Sequence, residues 1–92
     1  MRVNFYATLR QTVGAKAVDF PLPSGTTVRQ LIDEMCCCYP ALRKVLLDEN
    51  GELFQHVHLF IKGRDATFLD NGLDTPIEAD ETIGLFPAVG GG

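Results

Sequence analysis

Apolar residues recur at two spacings along this chain, and the switch between them separates strands from one main helix. Val3, Phe5 and Ala7 alternate with Arg2, Asn4, Tyr6 and Thr8, the period of a half-buried strand. Residues 11–15, with Gly14, read as a turn. Val18, Phe20 and Leu22 then alternate again, so the two segments predict a β-hairpin. Pro21 and Pro23 cannot donate to a ladder and put the second strand at a sheet edge. Ser24-Gly25-Thr26-Thr27 breaks the alternation. Thr27 with Gln30 three residues later is a capping box. Val28, Leu31, Ile32, Met35 and Cys38 or Tyr39 follow at helical spacing and predict an amphipathic helix over 28–39, closed by Pro40. Leu42, Val45 and Leu46 fit a second, short helical piece, and residues 48–51 a loop.

The two-residue period returns in Val57, Leu59 and Ile61, set against His56, His58, Phe60 and Lys62. Gly63 turns this third strand, residues 66–69 predict a short fourth strand, and Asp70-Asn71-Gly72 turns again. Ile83 and Leu85 alternate with Thr82, Gly84 and Phe86 in the last strand. The order is ββαββ. One helix with an apolar stripe and one sheet with an apolar face give a two-layer α+β domain. The expected arrangement is the β-grasp: a mixed sheet of four to five strands, the first and last parallel at its centre, with the main helix packed on one face. It spans residues 1–87, leaving 88–92 as a flexible glycine tail. If Val3, Phe5, Val57, Leu59, Ile61, Ile83 and Leu85 face the helix, then Tyr6, His58, Phe60 and Phe86 face outward as one apolar patch. Exposed patches of this kind mark partner sites.

Ninety-two residues make one small domain. The hydrophobic fraction of 46% and charged fraction of 22% are ordinary for a globular protein. No apolar run reaches membrane-span length, and the first residues lack the apolar core of a secretory signal. The expectation is a cytoplasmic protein that does not engage a membrane. The net charge of −4 is uneven: eight bases face seven acids in the first 65 residues, and the last 27 hold five acids and no base. Nucleic acid is a poor partner for that surface, and a basic protein surface a better one. Cys36, Cys37 and Cys38 are consecutive, so they are neither a disulfide framework nor a convergent metal set. At least one is expected to face the core. His56 and His58 share a strand face at i, i+2, but no third ligand accompanies them, and no metal is assigned.

The segment Phe86-Pro87-Ala88-Val89-Gly90-Gly91-Gly92 is the most specific chemical signal. Three glycines contribute no packing and are costly to order. Their advantage is access, because a chain without Cβ atoms can thread a narrow channel. Residues 88–92 can reach roughly 17 Å when extended. Such a tail can place the Gly92 carboxylate inside another protein's active site.

These residues resemble the MoaD/ThiS sulfur carriers, ubiquitin-like proteins that include the small subunit of molybdopterin synthase. The resemblance rests on Val3-Asn4-Phe5-Tyr6-Ala7-Thr8-Leu9-Arg10, on Pro23-Ser24-Gly25-Thr26-Thr27-Val28 with Tyr39-Pro40-Ala41-Leu42, on Ile61-Lys62-Gly63-Arg64-Asp65 with Leu73-Asp74-Thr75-Pro76-Ile77, and on the terminal heptapeptide. It covers essentially the whole chain. Ala88 stands where many molybdopterin-type carriers have a second proline, and Ala88-Val89 is more similar to carriers feeding cysteine synthesis. Gly90 replaces the common Ala, Ser or Thr, and Lys62 a common Asn.

A carboxylate with a pKa near ~3.5 is ionised at neutral pH and is a poor electrophile. The resemblance implies that a ubiquitin-activating-type adenylyltransferase adenylates Gly92 with ATP, and that a sulfur from a persulfide-bearing sulfurtransferase displaces AMP. The resulting thiocarboxylate would donate sulfur in a second enzyme, foremost the molybdopterin synthase large subunit. No cofactor is held permanently; ATP serves the activating enzyme. Gly90 and Gly91 give clearance in the channel. Tyr6 and Phe86 carry over as docking residues; His58 and Phe60 join them by alternation, and Pro87 and Val89 belong to the recognised terminus. The chain carries no catalytic side-chain set of its own, so it acts as a sulfur-donating subunit at most. The alternatives are a carrier for cysteine, thiamine or tRNA thiolation, a ubiquitin-like modifier of protein lysines, and a β-grasp interaction module with an inert tail. Lys16, Lys44 and Lys62 are acceptors of self-conjugation in the modifier case, and none stands out.

Overall fold

The computed structural model describes residues 1–87. The sheet grows from β1 (Arg2–Phe5), β2 (Ala17–Asp19), β4 (His58–Ile61), β5 (Arg64–Asp65) and β7 (Thr82–Phe86), in the order β2-β1-β7-β4-β5. β1 and β7 run parallel, with Val3 opposite Ile83 and Phe5 opposite Leu85. The other neighbours are antiparallel, so the sheet is mixed, as the sequence predicted. A separate two-stranded ladder joins β3 (Thr26–Thr27) to β6 (Pro76–Ile77).

Helix α2 (Val28–Cys38) starts where its capping box predicts: Thr27 Oγ1 accepts from the Gln30 amide at 3.2 Å, and the Thr27 amide donates to Gln30 Oε1 at 2.9 Å. Its buried stripe is Val28, Leu31, Ile32, Met35 and Cys36. Cys36 rather than Cys38 therefore continues the stripe. Cys37 and Cys38 are exposed, and burial pushes the Cys36 thiol up, away from thiolate reactivity. The stripe covers Val3, Phe5, Leu59, Ile61, Ile83 and Leu85, each at most 6% exposed. Each such side chain contributes about 1.5–3 kcal/mol by leaving water. α3 (Ala41–Leu46) closes one end of the core with Leu42 and Leu46.

Three local expectations are corrected. The turn expected over 11–15 is helical through residue 13: α1 (Thr8–Val13) ends at Gly14, so the first two strands are joined by a helical connection. Its six residues show too little periodicity to stand out, yet it buries Leu9. The short fourth strand is β5 at Arg64–Asp65; Ala66–Phe68 forms a 3₁₀ turn instead. Asp65 caps that turn, accepting from the Thr67 amide at 3.0 Å, and so ends the strand early. His56 lies before β4 and outside the ladder. Lys62 and Gly63, the two residues linking β4 to β5, both have positive φ, 53° and 78°. That is the signature of a tight primed hairpin turn, which favours Asn-Gly over Lys-Gly.

Candidate functional site: the outer face of the sheet at the root of the tail

The face opposite α2 has no second layer among the described residues. β7 runs down its middle, so Gly84 lies between Asn4 of β1 and Phe60 of β4, and Phe86 lies opposite His58. Tyr6 follows β1, tied to β7 by its amide donating to the Leu85 carbonyl at 3.2 Å. The Tyr6 and Phe86 rings stack with centroids 4.1 Å apart and planes 5° from parallel. Phe60 meets Phe86 edge-on at 5.3 Å and 90°. Both geometries suit the ring quadrupoles, and each pair is worth about 0.5–1.5 kcal/mol beyond area burial. The Arg10 guanidinium carbon lies 5.5 Å over Tyr6, and its Nε donates to the Phe5 carbonyl at 2.8 Å. Phe86, Tyr6 and Arg10 thus form one stack at the root of the tail.

The rings wall a surface hollow of about 370 Å³ whose lining includes Asn4, Lys62, Glu81 and Gly84. Gly84 is its floor. A Cβ there would meet Phe86 Cε2 at 3.3 Å and Tyr6 Cε2 at 3.6 Å, so the rings settle where a larger residue would lift them. At the rim, Lys62 Nζ pairs with Glu81 at 3.7 Å. Lys62 is exposed, so the pair adds little to stability.

Backbone strain accompanies the stack. Ala7 has φ 53° and ψ −131°, a region a residue with a Cβ rarely adopts. This bend leaves Tyr6 on the outer face while Leu9, three residues later, enters the core. The strain sits beside the aromatic stack it helps to place.

The sequence-predicted residues separate into groups. Tyr6, Phe60 and Phe86 come together as the hollow's walls. His58 adjoins them, its ring centroid 6.3 Å from that of Phe60, but turns Nδ1 to Asp65 at 2.9 Å. Pro87 lines a different hollow, of about 470 Å³, with Leu9, Lys44, Val45, Phe54 and His56. Val89, Gly90, Gly91 and Gly92 lie outside the described residues. His56 stacks on Phe54 at 5.0 Å, so the two histidines do not converge. Gly84, Arg10, Asn4 and Asp65 were not identified from sequence. Gly84 had a usable signal, a glycine inside a strand and flanked by outward aromatics, which marks close approach.

Comparison with known proteins agrees with this geometry. The model of the ThiS family matches residues 3–92. Small archaeal modifier protein 3 of Haloferax volcanii is 30% identical over 92 residues, covering 100% of this chain and 98% of that protein. The crystal structure of small archaeal modifier protein 1 from the same organism superposes with a TM-score of 0.86 at 27% identity, covering 100% of this chain and 98% of that one. The BexX/CysO complex of Amycolatopsis orientalis contains a chain that superposes with a TM-score of 0.79 at 26% identity, covering 99% of this chain and 98% of that one. The chain belongs to the ThiS family of ubiquitin-like sulfur carriers and modifiers, with the β-grasp fold.

Proposed function

We propose that this chain is a sulfur carrier whose Gly92 carboxylate is the reacting group and whose outer sheet face docks the enzymes that act on it. The observation that carries the reading is the Phe86–Tyr6 stack at the root of a Gly-Gly-Gly terminus. In sequence, this aromatic surface lies six residues before Gly92, whose carboxylate such partners would read. Family membership supports the chemistry.

In the proposed sequence, a ubiquitin-activating-type enzyme joins the carboxylate to the α-phosphate of ATP and releases pyrophosphate. The terminal sulfur of a persulfide attacks the acyl carbon and expels AMP, leaving an acyl disulfide. A second thiol cleaves the S–S bond, and the thiocarboxylate remains on Gly92. In the acceptor enzyme, proposed as the molybdopterin synthase large subunit, the thiocarboxylate sulfur bonds to the acceptor, and water then cleaves the acyl–sulfur bond, supplying the oxygen that restores the Gly92 carboxylate and leaving the sulfur on the acceptor. The folded body contributes position: docking would convert the attack on the Gly92 carboxylate into a local event. No residue of the chain transfers a proton in this scheme.

The test is intact-mass spectrometry after incubation with ATP, the cognate adenylating enzyme and a persulfide donor. Replacement of one oxygen by sulfur at Gly92 is expected; a terminus unchanged under these conditions contradicts the proposal. A second reading, isopeptide modification of protein lysines, draws on the small archaeal modifier proteins among the relatives. It predicts higher-mass conjugates that vanish when Gly92 is deleted.

A further inference from the structure

We infer that the aromatic hollow of the docking face receives an arginine side chain of the adenylating enzyme, whose guanidinium displaces Lys62 from Glu81. This rests on the docking role proposed for that face.

The hollow combines rings with one fixed carboxylate. Tyr6, Phe60 and Phe86 wall it, and among the described residues Glu81 and Lys62 are its charged lining. The two are held unequally. The Glu81 side chain is 16% exposed, and that of Lys62 is 69% exposed. The Glu81 backbone is tied on both sides: its amide donates to the Glu78 carbonyl at 3.0 Å, and its carbonyl accepts from the Arg2 amide at 3.1 Å. The carboxylate is thus part of the wall, while the Lys62 ammonium reaches it from the solvent side at 3.7 Å. Lys62 is its one salt-bridge partner among the described residues. A pair with so exposed a cation is weak, so exchanging that cation costs little.

The chemistry of the hollow selects arginine as the incoming group. A guanidinium is planar, stacks on aromatic faces, fits a carboxylate with its fork of donors and is less strongly hydrated than an ammonium. It would meet ring and carboxylate together. The same pairing of guanidinium and ring already occurs within the chain, where Arg10 lies over Tyr6. Tyr6 is occupied by that contact and by Phe86. Phe60 is half-buried and lines the hollow, which leaves its ring as the wall for the incoming cation. An aliphatic side chain would cover the rings without using Glu81, and an acidic one would be repelled by it. Arg64 and Glu78 line a neighbouring hollow, of about 310 Å³, that Lys62 and Glu81 also border, and they do not line the aromatic one.

The experiment measures affinity for the adenylating enzyme by calorimetric titration, referred to the folded fraction of each variant. Glu81→Gln keeps the shape of the wall and removes its charge; it is expected to bind about tenfold more weakly, the effect of losing a charge-assisted hydrogen bond. Lys62→Asn removes the competing ammonium and suits the positive φ of its turn; it is expected to bind about two- to fivefold tighter. Those opposite signs identify Glu81 as the group the partner reads. Glu81→Gln binding as tightly as wild type, or Lys62→Asn binding more weakly, overturns the inference. If Phe86→Ala is weakened in either case, the docking face itself stands; Phe86→Ala binding as tightly as wild type overturns both readings. The free chain gives a readout independent of the enzyme. N-acetyl-arginine amide, added to the nitrogen-15-labelled protein up to about 100 mM, the range for so small a ligand, is expected to shift the amides of Phe60 and Gly84. Those shifts should vanish in Glu81→Gln. Equal shifts from N-acetyl-lysine amide, or arginine shifts that persist in Glu81→Gln, contradict the assignment.

Discussion

The two faces of the central sheet come from the same alternating strands and have opposite fates. On the inner face, Val3, Phe5, Leu59, Ile61, Ile83 and Leu85 are covered by the chain's own helices. On the outer face, Tyr6, Phe60 and Phe86 are left half-buried, sheltered mainly by one another. The inner face is packed to make a stable domain. The outer face is arranged around a glycine floor and beside a strained Ala7, features that a stability-only design would avoid. The difference teaches that apolar residues on the outer strand positions serve association more than folding.

Breaking each face should therefore break a different property. Leu85→Ala, on the inner face, is expected to cost about 2–5 kcal/mol of unfolding free energy by chemical denaturation. Its effect on docking by the folded fraction should be small. Phe86→Asp, one residue along and on the other face, should reverse that pattern. It removes one stacked and one edge-on ring contact, so stability should fall by about 1–2 kcal/mol. Affinity for the adenylating enzyme should fall by about 30-fold or more in calorimetric titration, the effect of losing a central aromatic anchor. A larger stability loss from Phe86→Asp than from Leu85→Ala would erase the distinction between the faces.

Smaller changes sharpen the comparison. Ala7→Gly relieves a backbone conformation that disfavours a Cβ, so thermal unfolding should show a gain of about 1 kcal/mol. Docking should weaken slightly if the strain helps to hold Tyr6. The smallest expected effect is on acid stability at Asp65. Its carboxyl pKa is lowered in the folded state. Its stabilisation is thus complete above the ordinary carboxylate range and is lost as pH falls through the lower folded value. Asp65→Asn should flatten that part of the stability–pH curve, measured by denaturation between about pH 2 and 5.

Strong periodic segments were legible in the sequence. The Thr27–Gln30 box and the Val28–Met35 stripe located α2, and Thr82 to Phe86 alternate as the central strand. The outward direction of Tyr6, Phe60 and Phe86 followed from the same parity. Short elements were less legible because tertiary contacts decide them. Six residues of α1 hold too few turns for a period, and the β3–β6 ladder pairs segments about fifty residues apart. Asp65 read as a polar turn residue in sequence. Its clamp on His58 depends on Thr67 closing a 3₁₀ turn where a strand was expected. Gly84 as a floor required knowing which rings flank it across three strands.

The most direct test of the two-face account is a map of amide chemical-shift changes in the nitrogen-15-labelled chain as the adenylating enzyme is added. The account predicts changes concentrated at Tyr6, Phe60, Gly84 and Phe86 and running into residues 88–92, with α2 little affected. Changes concentrated along the solvent side of α2, with the outer strand positions silent, would contradict it.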